Sequence, residues 1–286
     1  MSTKTLLRTH DATREDIGDL VTWRPLPGPG LEQVDPFLFL NHHGPQLYPP
    51  GNRGLPFGPH PHRGFETVTF IVDGELAHRD SAGHESVIRA GGVQWMTAGR
   101  GIVHAEVSPE AFRRRGGPLE ILQLWVNLPA RLKMTKPRYI GLQREDIPAV
   151  STFDRLGQVS VIAGVWGGAK GPVDSLIGHF MSTVTLQPHG RVVFTGLASR
   201  SVFLYVVRGR IAIGGDEAPA FTLVQLTPHG DAVEITARTD AVLLFGHAAP
   251  IGEPIVSYGP FVMTSQEEIR QAIADYQAGA FGPMED

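Results

Sequence analysis

Cysteine is absent from the 286 residues. That absence excludes disulfides, cysteine-ligated zinc, iron–sulfur clusters and thiol nucleophiles. Net charge is small: 25 Lys and Arg against 29 Asp and Glu give −4, with a sequence pI near 6.3. Such a balance leaves no electrostatic footprint for nucleic acid, so no direct nucleic-acid partner is expected. Long apolar runs are also missing. The strongest, Ser201–Val207 and Ala241–Phe245, fall far short of the roughly 20 residues of a spanning helix. Met1–Leu20 mixes acids and bases and has no apolar stretch of signal-peptide length. The expectation is a cytoplasmic protein with no membrane association.

What is present points to β-structure. The 34 Gly and 23 Pro make up about 20% of the chain, where ordinary usage is nearer 12%. They punctuate short β-type runs such as Phe37–Leu40, Glu66–Val72, Glu85–Arg89, Ile121–Leu128, Phe180–Leu186, Ser201–Val206 and Ala232–Ala237. Regular strands separated by turn signals read as all-β barrels or sandwiches. One stretch carries helix signals. Ser265 and Glu268 form a capping box, Ile269, Ala272, Ile273 and Tyr276 share a face, and Gly279 stops the run. A short C-terminal helix is therefore expected at about 265–279.

An internal repeat divides the chain. Phe65–Leu76 can be laid over Arg200–Ile211, and both read strand, glycine turn, strand. Two related barrels follow: residues 1–150, carrying the candidate site, and residues 151–286, ending in the helix. The boundary is expected between Pro148 and Asp154.

Seven of the 12 histidines fall between His42 and His104, and they suggest a metal. In Gly58-Pro59-His60-Pro61-His62-Arg63-Gly64-Phe65-Glu66 the two histidines lie two apart, so on extended backbone they share a face. Counted by the same parity, Glu66, Val68, Phe70 and Val72 join them, and Thr67 and Thr69 fall on the other face. Pro61 cannot donate to a ladder and suggests an edge strand. About 40 residues on, His104 and Glu106 again share parity. Three imidazoles and a carboxylate suit one divalent ion of the Fe, Mn, Co, Ni, Cu or Zn group. Parity does not choose between Glu66 and Glu106 as the carboxylate. By the 135-residue offset the second barrel has Thr195, Leu197 and Ser201 at the matching positions, so it is expected to be metal-free.

These blocks, with His78-Arg79-Asp80-Ser81, Val93–Gly101, Gln123-Leu124-Trp125-Val126-Asn127-Leu128-Pro129 and Tyr258–Met263, resemble the pirins. Pirins are a bicupin branch of the cupin superfamily, and the likeness covers nearly the whole chain. It implies an all-β fold of two stacked cupin (jelly-roll) barrels with a short C-terminal helix. It also implies one metal, commonly Fe(II), in the first barrel, with ligands His60, His62, His104 and Glu106. Glu66 then becomes a base or an alternative ligand. The chain departs from the family at Asn41-His42-His43-Gly44, where an acid and an aromatic are usual.

The resemblance implies a metal-dependent dioxygenase of the quercetin 2,3-dioxygenase type, an oxidoreductase that opens flavonols with O2. A small planar aromatic substrate would then meet Asn41, His42, Phe57, Val68, Phe70 and Trp95. The alternative is a non-catalytic, redox-sensing regulator that binds a partner protein, with Arg113-Arg114-Arg115 as the candidate contact patch.

Overall fold

The strand–glycine–strand repeat is realised twice with the same backbone. Strands Phe65–Asp73 and Glu75–Asp80 flank Gly74, and strands Ser201–Arg208 and Arg210–Ile213 flank Gly209. The two glycines have φ of 84° and 81°. A Cβ would stand 2.6 Å from Pro118 O at Gly74 and 2.0 Å from Asp240 O at Gly209, so each turn needs a residue without a side chain.

The computed structural model describes residues 2–284, mostly β, with antiparallel sheets as the main architecture and only short helices. The chain forms two cupin domains. One compact unit contains Arg14–Trp23, Phe37–Glu145 and the chain from Ile251 onward. The other contains the chain up to Thr13, Arg24–Pro36 and Asp146–Pro250. The sequence places a single boundary near residue 150. In the structure the chain passes between units at Glu145/Asp146, and both chain ends group with the opposite half. Leu6–Asp11 is the reason at one end, since it pairs with Thr222–Leu226 and completes a sheet edge of the second unit. At the other end, the helix Gln266–Gln277 groups with the first unit.

The first unit carries the candidate site. Its large sheet runs Arg138–Leu142, Val93–Thr97, Phe65–Asp73, Gly117–Asn127, Phe37–Tyr48 in spatial order. A smaller sheet runs Phe57–His62, Ile102–Val107, Glu75–Asp80, Glu85–Arg89. Phe57–His62 is an edge strand, as Pro61 demands. One end of the interior is apolar, built from Leu55, Ile71, Leu76, Ile88, Phe112, Leu119 and Ile121.

The second unit pairs a sheet centred on Ser201–Arg208 and Ala241–Ala248 with a four-stranded sheet over Arg191–Thr195, Ala232–Ala237, Arg210–Ile213 and Asp216–Pro219. Its interior is filled by Val161, Val184, Leu204, Leu243 and a stacked pair, Phe194 and Phe245, with centroids 3.6 Å apart.

The helix begins where the capping box requires. Ser265 Oγ accepts from the backbone N–H of Glu268 at 3.2 Å. Glu268 reaches back one residue further than expected, accepting from the N–H and hydroxyl of Thr264 at 2.8 and 2.6 Å. The buried face presents Ile269 and Ala272 to Val103, Phe261, Met263 and Phe281.

Candidate metal centre

His60 and His62 stand on the edge strand Phe57–His62, directly against Ile102–Val107, with His60 opposite His104 and His62 opposite Ile102. Among the described residues these three histidines are the one group whose donor atoms lie within 4.8 Å of one another. Their ring centroids are 4.4 to 5.0 Å apart.

Two of the rings are oriented by carbonyls. His60 Nδ1 donates to Gly58 O at 2.7 Å, and His62 Nδ1 donates to Pro260 O at 3.3 Å. A carbonyl only accepts, so each Nδ1 carries a proton, and Nε2 is the ring nitrogen left to face a ligand. His62 Nε2 and both ring nitrogens of His104 are buried with no hydrogen-bond partner. Burial, reinforced by the neighbouring His60, pulls the His62 pKa down to about 3. Burial also holds His104 well below the ordinary value, with His62, His60 and His78 adding to the effect. The buried, unpartnered nitrogens of His62 and His104 beside His60 fit a divalent ion of the kind expected.

The carboxylates sit differently from the sequence expectation. Between His62 and Phe65 the chain turns from the small sheet to the large one through Arg63 and Gly64, the latter at φ 91°. Alternation cannot be counted through that corner. Phe65, not Glu66, arrives on the histidine side, with its ring 5.1 Å from His62. Thr69 on the same face reaches Glu106. Glu66 therefore points to the opposite face of its strand. There its Oε1 accepts from Thr97 at 2.6 Å, and burial pushes its carboxyl up, against the opposing effects of Thr97 and Trp95. The expectation that Glu66, Val68 and Phe70 line the histidine side is corrected on this ground.

Glu106 does face the histidine side, but it lies outside the three-histidine group. Its Oε1 accepts from Thr69 Oγ1 at 2.7 Å, and its Oε2 accepts from Gln123 Nε2.

Register sorts the expected pocket residues. Asn41, Gln123, Thr69 and Gln94 form one row across four adjacent strands, so their side chains share the histidine face. Phe57 lies opposite Glu106 in register, and its ring is 5.2 Å from His43. Asn41 and Phe57 are thus on the site side, and His43 joins them. His42, one residue out of phase, donates from Nε2 to Glu120 Oε1 at 2.8 Å in a fully buried pair. Val68, Phe70 and Trp95 share the Glu66 face. Four of the six expected pocket residues therefore lie on the wrong side of the sheet, for the same corner or parity reason.

Sequence reasoning missed the residues that surround the site instead. Trp125 has its ring 5.5 Å from His62, with Phe65 and Phe39 packed against it at 4.5 and 4.7 Å. Its Nε1 is buried without a partner. His78 has its ring 5.4 Å from that of His104 and is held by Asp80 Oδ2 at 3.0 Å. The available signal was the Gln123-Leu124-Trp125 block, in which Gln123 and Trp125 share parity. The arginine run forms the end of the short helix Glu110–Arg115, with Arg114 and Arg115 paired to Glu110 and Glu75 at 2.8 and 3.0 Å.

No helix among the described residues is long and apolar enough to cross a membrane. The sequence profile described as Pirin matches residues 20–126, and that described as Pirin C-terminal cupin domain matches 181–282. A Pseudomonas aeruginosa protein named "putative quercetin 2,3-dioxygenase" is 42% identical over 87% of this chain and 87% of its own length. The crystal structure of a quercetin 2,3-dioxygenase from Acinetobacter baumannii superposes with TM-score 0.92 at 32% identity, covering 99% of this chain and all of that one. A bacterial pirin from Escherichia coli, solved in complex with nickel(II), shares the fold with TM-score 0.66 at 23% identity, over 85% of this chain and 99% of its own.

Proposed function

The chain belongs to the pirin family, and from that premise we propose that it holds one divalent metal ion, Fe(II) in the active form, and opens planar flavonols such as quercetin with O2. The observation that carries this reading is the group of three imidazoles whose donor atoms lie within 4.8 Å of one another, with nitrogens of His62 and His104 buried and unpartnered. The names of the Pseudomonas and Acinetobacter proteins support the reaction class. His60, His62 and His104 would hold the ion, and Glu106 stands beside them.

A bound ion supplies Lewis-acid and one-electron chemistry between the deprotonated flavonol and O2. The protein's own residues do the rest. Glu106 accepts the flavonol 3-hydroxyl proton, since each of its oxygens has a lone pair beyond the one given to Thr69 or Gln123. Glu66 is not used, because it faces away. Phe39, Phe65 and Trp125 offer an aromatic wall on which a planar ring can stack. Asn41 and the Trp125 indole N–H supply polar contacts on the same side.

The test is O2 consumption with quercetin by anaerobically Fe(II)-loaded protein, run beside His62→Ala. Metal-dependent uptake that the variant loses is the expected result. Fully loaded protein that takes up no O2 would overturn the dioxygenase reading and leave the metal-dependent, partner-binding regulator in its place.

A further inference from the structure

The second unit holds a cleft where one of its sheets comes apart. Leu204–Val206 pair with Thr222–Val224, and the ladder between these two strands stops at Leu204 and Val224. Beyond that point each strand keeps only its other neighbour. Ser201 and Val202 pair with Ala248 and His247, and Gln225 and Leu226 pair with Arg8 and Leu6. A cavity of about 280 Å3 occupies the gap. Were the register continued, Arg200 would stand opposite Pro228. Lys4 lies at the same end, because its Nζ donates to Thr227 O and Pro228 O at 3.2 and 2.8 Å.

Two cations therefore line one cavity, and neither forms an ion pair with a carboxylate among the described residues. Lys4 is 3% exposed, and its third N–H has no partner among those residues. Arg200 donates from Nε to His247 Nδ1 at 2.5 Å, and from Nη2 to Gly178 O and His247 O at 3.2 and 3.3 Å. Its Nη1 is left over. His247 brings no charge, since burial and Arg200 hold its pKa at about 4. Asp231 acts on Lys4 only at a distance, and its Oδ1 already accepts from the Ala198 N–H at 3.0 Å. A buried cation without a counter-ion is costly, and an anion in this cavity would meet both at once. The lining also includes Leu31, Val34 and Val202, an apolar surface that a bare inorganic anion does not use.

We propose that this cleft binds a small organic carboxylate, with its charge between Lys4 and Arg200 and its apolar body against Leu31, Val34 and Val202. The planar guanidinium of Arg200 suits a carboxylate. The cavity falls just under the range of drug-sized pockets, about 300–1,000 Å3, so the acid must be compact. The site shares no residue with the metal centre and does not rest on the dioxygenase reading.

The experiment is calorimetric titration of benzoate into the metal-free full chain at pH 7, with benzamide as the neutral analogue and inorganic phosphate as the bare anion. One benzoate per chain is expected, bound at least about tenfold more tightly than benzamide or phosphate. Lys4→Met and Arg200→Met should each weaken benzoate about tenfold or more, and His62→Ala should bind it as the parent does. Absence of saturable binding overturns the proposal, and so does equal affinity for benzamide or phosphate. Unchanged benzoate affinity in either cation variant has the same force, as does its loss in His62→Ala, which would move the benzoate to the first unit. The three probes on the parent chain decide the question even where Lys4→Met fails to fold.

Discussion

Gly64 is the residue on which the site turns. Its φ of 91° suits glycine, and a Cβ would stand 2.0 Å from Val262 O and 2.8 Å from Met263 Sδ. Gly64→Ala is expected to cost at least about 1–3 kcal/mol from backbone strain alone, with the clash added. Urea denaturation and Ni(II) binding should both show the loss, and an unperturbed variant would mean the corner can relax. The histidines supply a second expectation at this scale. His62 has a folded pKa of about 3 against an unfolded 6.5, so between those values the unfolded chain binds more protons. Stability then rises with pH, is complete above about 6.5, and is lost as pH falls towards 3. Metal-free protein should lose about 1.4 kcal/mol per pH unit for each such group, and His179, also held at about 3 by burial, adds to the slope. A urea midpoint that does not fall between pH 7.5 and 5.5 would show that these rings are not buried and neutral.

Among elements, the strand Phe65–Asp73 is buried on both faces over most of its length. Apolar and polar residues therefore occur on both sides, and hydrophobic alternation has no power to say which side meets the metal. The final segment shows how far chain neighbours can mislead. Pro260 O orients His62, Asp275 pairs with Arg63 at 2.7 Å, and Phe281 lies under the Arg63 guanidinium at 4.7 Å. Lys133, buried and drawn down to about 8 by burial, donates to Gly64 O, Asn127 Oδ1 and Val262 O. A chain ending at Pro250 keeps all three histidines but is expected to lose Ni(II) binding, as read by equilibrium dialysis. Lys133→Met should cost about 1–3 kcal/mol by leaving buried acceptors unpaired, measured as a lower unfolding midpoint. The helix, its cap and the edge strand at Pro61 were legible because they depend on a few adjacent residues. Thr69, Gln123 and Trp125 were not, because their roles depend on a register between strands more than 50 residues apart.

At the scale of the whole molecule the two units share one repeat and differ in what fills it. In the second, the positions matching His60, His62 and Glu66 are Thr195, Leu197 and Ser201, and the interior is closed by apolar side chains. Loaded protein should therefore carry one ion per chain by elemental analysis, and two would demand a site in the second unit.

Composition, turn residues and the His60–Glu106 blocks by themselves determined the all-β class, the doubled unit, the C-terminal helix and the histidines to watch. These are local properties: glycines where φ must be positive, a cap three residues from its partner, two imidazoles on one extended segment. The tertiary structure alone decided which glutamate faces the histidines, which strand face forms the site, and which unit each chain end joins. Those outcomes depend on a corner at Gly64 and on strand register. A one-residue change in phase there exchanges the two faces of every strand that follows.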